Sequence, residues 1–215
     1  MRGTIPHPRV VLVVLIIIAA LVAAGYAWTY VPPGASTRDA VRKAVVGFEL
    51  ASVPVWPSAY LGSATLPPKA QAEVRAAHRQ RLAEFSTGAV YDGWSSLDFV
   101  RGMLDDRRRN HGLVFTATKG VIVYDRFRAR RPDGRLVVRM AVQHWFTEGR
   151  WDAGAGAMGP EHTVVQPMAV ITDYTLQKVN GAWKVAAVHG WRFLDTRTGA
   201  ITYDPPESPP APATP

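Results

Sequence analysis

The sequence contains no cysteine, which excludes disulfides, thiolate metal sites, a cysteine nucleophile and cysteine-anchored lipid. Phosphate loops and dinucleotide fingerprints are also missing: Gly154 and Gly156 are followed by no Gly-Lys-Ser and open no strand-to-helix turn. Of the six histidines, His111, His144, His162 and His189 fall at no metal-ligand spacing, so neither a metal nor any other cofactor is expected. Acidic residues are the minority, 17 against 25 Lys and Arg, and none precedes the first apolar run. Apolar residues are not scarce. They make up 47% of the 215 residues, which excludes a wholly disordered chain and allows one compact core.

Val10 to Trp28 is a 19-residue stretch without a formal charge or a proline. A helix needs about 20 such residues, each rising about 1.5 Å, to cross a hydrocarbon layer about 30 Å thick. Tyr26, Trp28 and Tyr30 stand at its C-terminal end, where an aromatic belt belongs, and Pro32 and Pro33 stop it. A retained anchor over residues 10–31 is preferred to a cleaved signal peptide, whose apolar part runs about 7–15 residues. Arg2 and Arg9 precede the run, which sets residues 1–9 inside the cell and the remainder outside.

After a stalk at 32–35, Ser36 and Asp39 have capping-box spacing. Val41, Ala44, Val45 and Phe48 then mark the face of a first helix. Pro67 and Pro68 open a second helix over about 68–86, with Val74, Ala77, Leu82 and Phe85 as its stripe. A third begins at Ser95 and ends in Arg107, Arg108 and Arg109, cations that suit a helix C-terminus. The period then changes to two. Residues 113–118 form a first strand, with a turn at Lys119 and Gly120. A hairpin over 121–131 and 135–147 follows, with Val121, Val123, Asp125 and Phe127 on one face of its first strand. Leu136, Val138, Met140, Val142, His144 and Phe146 share a face of the second. A glycine-rich loop at 148–162, a strand at 163–179 and a tight turn at Asn180 and Gly181 come next. The last strand sets Trp183, Val185, Ala187, His189, Trp191 and Phe193 on one face. Residues 205–215 hold six prolines and cannot pair as a strand. The fold class is α+β: helices packed on a curved antiparallel sheet, spanning 36–204.

The C-terminal stretch from Tyr174 to Val188, with Trp183, Lys184 and Val185 at its centre, resembles the nuclear-transport-factor-2-like (cystatin-like cone) superfamily. Placed behind one anchor, the domain looks like the Mce-associated membrane proteins of actinobacteria or the VirB8-type assembly proteins of secretion and conjugation machines. The resemblance implies a cone that is either an enzyme pocket or a filled core with an outer binding surface. The first implies an Asp acting with a His or Tyr on a small apolar substrate.

Asp125, His144 and His189 are the residues available for that catalytic alternative, an isomerase or hydratase with an apolar or lipid-binding pocket. Asp125 and Tyr124 are adjacent, as are Asp173 and Tyr174, so in regular strands neither pair shares a pocket. The balance therefore favours a non-catalytic, membrane-anchored assembly subunit with protein partners in an envelope complex. Residues 101–139 carry 11 Lys and Arg against four Asp, net +7. Arg126, Arg128 and Arg130 form a basic stripe that Arg139 extends, and with Arg107, Arg108 and Arg109 it suits an acidic partner or lipid surface. Nucleic acid is disfavoured, because aromatic interleaving and a recognition motif are missing. Trp145 and Trp151 are the aromatic interaction candidates, and homo-oligomerisation is left open.

Overall fold

The computed structural model describes residues 8–55 and 66–96, positions 98, 100 and 102, and residues 113–202 except 153, 156 and 161. The N-terminal segment 1–7, the arginine run Arg107–Arg109 and the proline-rich tail lie outside the described residues.

The first helix, α1 (Pro8–Tyr30), carries an 18-residue window, Val13–Tyr30, of mean hydropathy 2.1 with none of it buried. It is long and apolar enough to cross a membrane. Two residues beyond it the stalk prolines begin, and α2 (Ala35–Ala51) starts with Gly34 at the cap position. Ser36 is therefore not the cap. It sits inside the first turn, because the Gly34 carbonyl already accepts from the Thr37 and Arg38 amides, at 3.1 Å each. Asp39 turns to Arg42 instead, at 3.4 Å.

On α2 the expected stripe of Val41, Ala44, Val45 and Phe48 is buried. In α3 (Pro68–Phe85) a proline opens the helix, and the buried line runs through Ala70, Val74, His78 and Leu82. His78 replaces the expected Ala77, because a spacing of four from Val74 keeps one line toward α2. A short helix the periodicity does not suggest, α4 (Gly88–Trp94), precedes Ser95. Residues 98, 100 and 102 are helical, with Val100 buried. Gly47 lets α2 and α3 meet, since a Cβ there would lie 2.3 Å from the Phe85 ring. Gly47→Ala is expected to lower the unfolding free energy by up to about 2 kcal/mol, the overpacking cost of about 1–3 less the helix-propensity gain of about 1. Denaturant titration would measure it.

The strands are β1 (Leu113–Arg130), β2 (Leu136–Asp152), β3 (Ala157–Met158), β4 (His162–Val165), β5 (Met168–Val179), β6 (Ala182–Asp195) and β7 (Ile201–Thr202). They form one antiparallel sheet in the order β1-β2-β5-β6-β7, with β3 and β4 along the far half of β2. Lys119 and Gly120 are thus no turn: β1 runs through them with a bulge at Thr118. The expected loop 148–162 is shorter, because β2 continues to Asp152, and a break at Gln166 and Pro167 divides the expected strand 163–179. Asn180 and Gly181 turn the β5–β6 hairpin at φ 50° and 83°, as a two-residue turn matching strand twist requires.

Bulges decide which side chains enter the core. In β1 the register skips Thr118, Val123 and Arg128; in β6 it skips Ala186 and Gly190. Each extra residue inverts the alternation beyond it. The inward residues of β1 are therefore Ile122, Asp125, Phe127 and Arg130, opposite Val142, Met140, Val138 and Leu136. The even alternation of Val121, Val123, Asp125 and Phe127 does not survive, and Val123 is exposed. In β6, Trp183, Val185 and Val188 face the helices, whereas His189 stands opposite Asp173 on the outer face. Phe48, Leu82, Tyr174, Leu176 and Val185 close the core between α2, α3 and the sheet.

Candidate functional site

The inner face of β2 continues from Val142 to His144, whose backbone partner is Gly120. A Cβ on Gly120 would lie 3.0 Å from Val142 and 3.2 Å from Val46, so the missing side chain admits α2 close to the sheet. This brings Glu49 of α2 above His144 of β2 and Tyr174 of β5. The Tyr174 hydroxyl donates to Glu49 Oε1 at 2.6 Å, and His144 Nε2 lies 3.7 Å from Glu49 Oε2. Thr172 also hydrogen-bonds with Tyr174, making a polar chain of four residues beside the apolar core.

Burial dominates the protonation of this chain. Desolvation raises the Glu49 carboxyl above its ordinary range, and the Tyr174 hydrogen bond only partly opposes it. The Tyr174 hydroxyl is pushed well above its usual value by burial and by the neighbouring carboxylate. Burial lowers His144. Raising the carboxyl and lowering the imidazole 3.7 Å away brings their proton affinities closer together. Sequence reasoning missed Glu49. Its signal is the i+4 line Val41, Val45, Glu49, which continues the buried stripe with a carboxylate.

Asp125 does not join that chain. Although it faces inward opposite Met140, its Oδ2 accepts from Arg42 Nε at 2.7 Å. β1 is an edge strand, so the carboxylate is not enclosed. This pair stands in a cleft of about 310 Å³ between Pro32 and Pro33 of the stalk, Arg38 of α2 and Arg126 and Phe127 of β1. His144 and His189 line no part of it. The catalytic alternative thus has its three residues in three places: Asp125 at the stalk, His144 in the core, His189 outside.

The basic stripe is likewise divided, and the bulge at Arg128 is the cause. Arg126 borders the cleft. Arg130 turns inward, its guanidinium 4.1 Å from the centre of the Trp28 ring at the end of α1. Arg139 holds Asp173 through two hydrogen bonds of 2.6 Å, which, with Arg128 and Arg192 nearby, keep that carboxyl below its usual range. Trp145 is half-buried under Lys119, whose ammonium stands 5.2 Å from its ring. Trp151 stands on β2, with its side chain outside the described residues.

A second buried histidine shares the fate of His144. His78 Nε2 lies 2.9 Å from the Trp94 carbonyl, a second hydrogen bond reaches the backbone of Ala51, and burial near Arg81 lowers its proton affinity. Both imidazoles are depressed in the folded chain, so acidification below about 6.5 protonates the unfolded state first. Stability is expected to be complete above that pH and to fall as pH drops toward the folded values. Glu49, being raised, acts oppositely: its contribution is complete below about 4.5 and is lost as pH rises. Melting temperatures between pH 5 and 7.5 check this. His144→Gln should flatten the rise and Glu49→Gln should steepen it.

No family model matches the chain, and no curated protein matches it. Among solved structures it is similar to the intermembrane-space region of the chloroplast protein ARC6, at 15% identity over 74% of this chain and 96% of that one, with a TM-score of 0.39. A periplasmic fragment of TraM is similar at 11% identity over 70% of this chain and 94% of that one, with a TM-score of 0.37. Likeness at this level carries no functional argument.

Proposed function

We propose that the chain is a non-catalytic, single-pass accessory or assembly subunit of a cell-envelope transport, secretion or conjugation complex. In this reading residues 1–9 are cytoplasmic, α1 spans the membrane, and the domain binds protein partners outside the cell or in the periplasm. The relationship to the nuclear-transport-factor-2-like superfamily, and to Mce-associated or VirB8-type proteins within it, is part of the same proposal. One observation carries it: α1 buries none of its Val13–Tyr30 window, while Trp28 stacks under Arg130 of the domain. An apolar helix left uncovered is costly in water and at home in lipid. The stacking, with Pro32 and Pro33 packed beside the cleft, supports a domain held at a set position against the membrane. Crosslinking in intact cells followed by detergent pull-down tests the role. Recovery of envelope proteins bound to the domain is expected; an uncrosslinked monomer that turns over a small substrate would contradict it.

A second reading, a protein that binds an apolar small molecule or lipid, has the 310 Å³ cleft and its apolar floor of Leu136, Val138 and Met140 in its favour. Of the catalytic alternative Asp125, His144 and His189, only Asp125 lines this cleft, so the cleft supports binding rather than turnover.

A further inference from the structure

The cleft lies where the anchor meets the domain, and its lining is asymmetric. Its floor is apolar, through Leu136, Val138 and Met140, whereas Arg38, Arg42 and Arg126 stand around Asp125 at its rim. Asp125 at 2.7 Å and Asp39 at 3.4 Å both pair with Arg42. Arg38 and Arg126 are exposed, and neither has a carboxylate partner among the described residues. Counting Asp39 and Asp125 against Arg38, Arg42 and Arg126, the rim keeps a net positive charge beside an apolar surface, with Arg38 and Arg126 as its two arginines without a carboxylate partner among the described residues.

Position relative to the membrane narrows the ligand. Tyr26, Trp28 and Tyr30 mark the headgroup level at the end of α1. Pro32, which lines the cleft, follows Trp28 by four residues, two helical and two beyond the helix end, about 6–10 Å in all. The polar layer on each side of a bilayer is about 5–8 Å deep. The cleft thus opens at the depth of the phosphates. Arg130, held over Trp28, fixes the neighbouring end of β1 at the same level.

We propose that this cleft binds the headgroup of an acidic phospholipid from the membrane that holds α1, with the phosphodiester between Arg38 and Arg126 and the glycerol against Leu136 and Met140. The assignment rests on reading α1 as a membrane anchor. A free phosphate would leave the apolar floor unused. A zwitterionic lipid would bring an ammonium to a rim whose carboxylates, Asp39 and Asp125, already pair with Arg42. The site would fix the rotation of the domain about its anchor, because the stalk, α2 and β1 would share one bound lipid.

Native mass spectrometry of the full chain in detergent micelles, titrated with phosphatidylglycerol or phosphatidylcholine, tests the proposal. Each arginine facing an acidic lipid is worth about fivefold in binding. Phosphatidylglycerol should therefore bind at least about tenfold more tightly than phosphatidylcholine. Arg38→Gln with Arg126→Gln should bring the two lipids within about twofold, while Arg197→Gln leaves the preference intact. Circular dichroism would confirm that the double variant is folded. Equal binding of both lipids, or a preference that survives the double substitution, would overturn the proposal. So would displacement of phosphatidylglycerol by glycerol phosphate at equal concentration, which would make the ligand a soluble phosphate. Incorporation into phosphatidylcholine nanodiscs tests the anchor separately: entry with no lipid preference defeats the headgroup site alone, and failure to enter defeats the anchor.

Discussion

Replacing Phe48 by alanine is expected to lower the unfolding free energy of the domain by about 3–5 kcal/mol. Phe48 is wholly buried, and its ring stands edge-on to Trp94 at 5.3 Å and to Tyr174 at 6.4 Å between centroids. It joins α2 to α4 and to β5, so truncation would open a cavity that three rigid elements cannot all close. Such edge-to-face pairs add about 0.5–1.5 kcal/mol beyond area burial. The cavity would also stand next to the Glu49–Tyr174 hydrogen bond, whose groups depend on exclusion of water. Chemical denaturation of the detergent-solubilised chain gives the value. A loss below about 1 kcal/mol would mean that Phe48 is not the centre of the core.

The second large effect concerns the anchor. Ile17 and Leu21 are exposed, lie four residues apart on α1 and so share one face near its middle. An arginine at the centre of a spanning helix costs about 2.5–3.5 kcal/mol, so Ile17→Arg with Leu21→Arg should cost about 5–7 together. That is enough to reverse insertion. The wild-type chain should stay with membranes after alkaline carbonate washing, and the double variant should appear in the wash. Since none of the Val13–Tyr30 window is buried against the domain, the far-ultraviolet signal of the domain should persist. Retention of the double variant in the pellet would contradict insertion of this helix.

Much of the fold was legible because some signals are local. The uncharged run before Pro32, the spacing of Val41, Ala44, Val45 and Phe48, and the Asn180–Gly181 turn each require only a few neighbouring residues. The inner face of β2 was legible for a related reason. Its helix-facing residues keep strict alternation from Leu136 to Val142, because the bulges fall on β1, while Ala141 is buried in a separate cluster with Ala169, Ile171 and Leu194. Strand β1 and strand β6 were misread where they bulge. Nothing about Val123, Arg128 or Ala186 announces an extra residue, yet each reassigns every side chain beyond it. Gly190, at φ 70°, was the exception that could have been suspected. The consequence reached the site directly: Asp125 stands in the cleft, His144 beside Glu49 and His189 opposite Asp173 on the outer face, and Arg130 leaves its stripe for Trp28. Glu49 was hidden differently. Its chemistry depends on Tyr174, 125 positions away, and no local pattern reports that approach.

The absence of cysteine makes the central topology directly measurable, since any cysteine introduced is unique. Thr4→Cys and Thr198→Cys, each made in the full chain and expressed in cells, would be treated with a membrane-impermeant maleimide before and after permeabilisation. Position 198 lies in the exposed turn after β6. An anchored domain outside the cytoplasm predicts labelling at 198 in intact cells and labelling at 4 only after permeabilisation. Equal labelling at both positions in intact cells, protection of both, or the reverse pattern would contradict it.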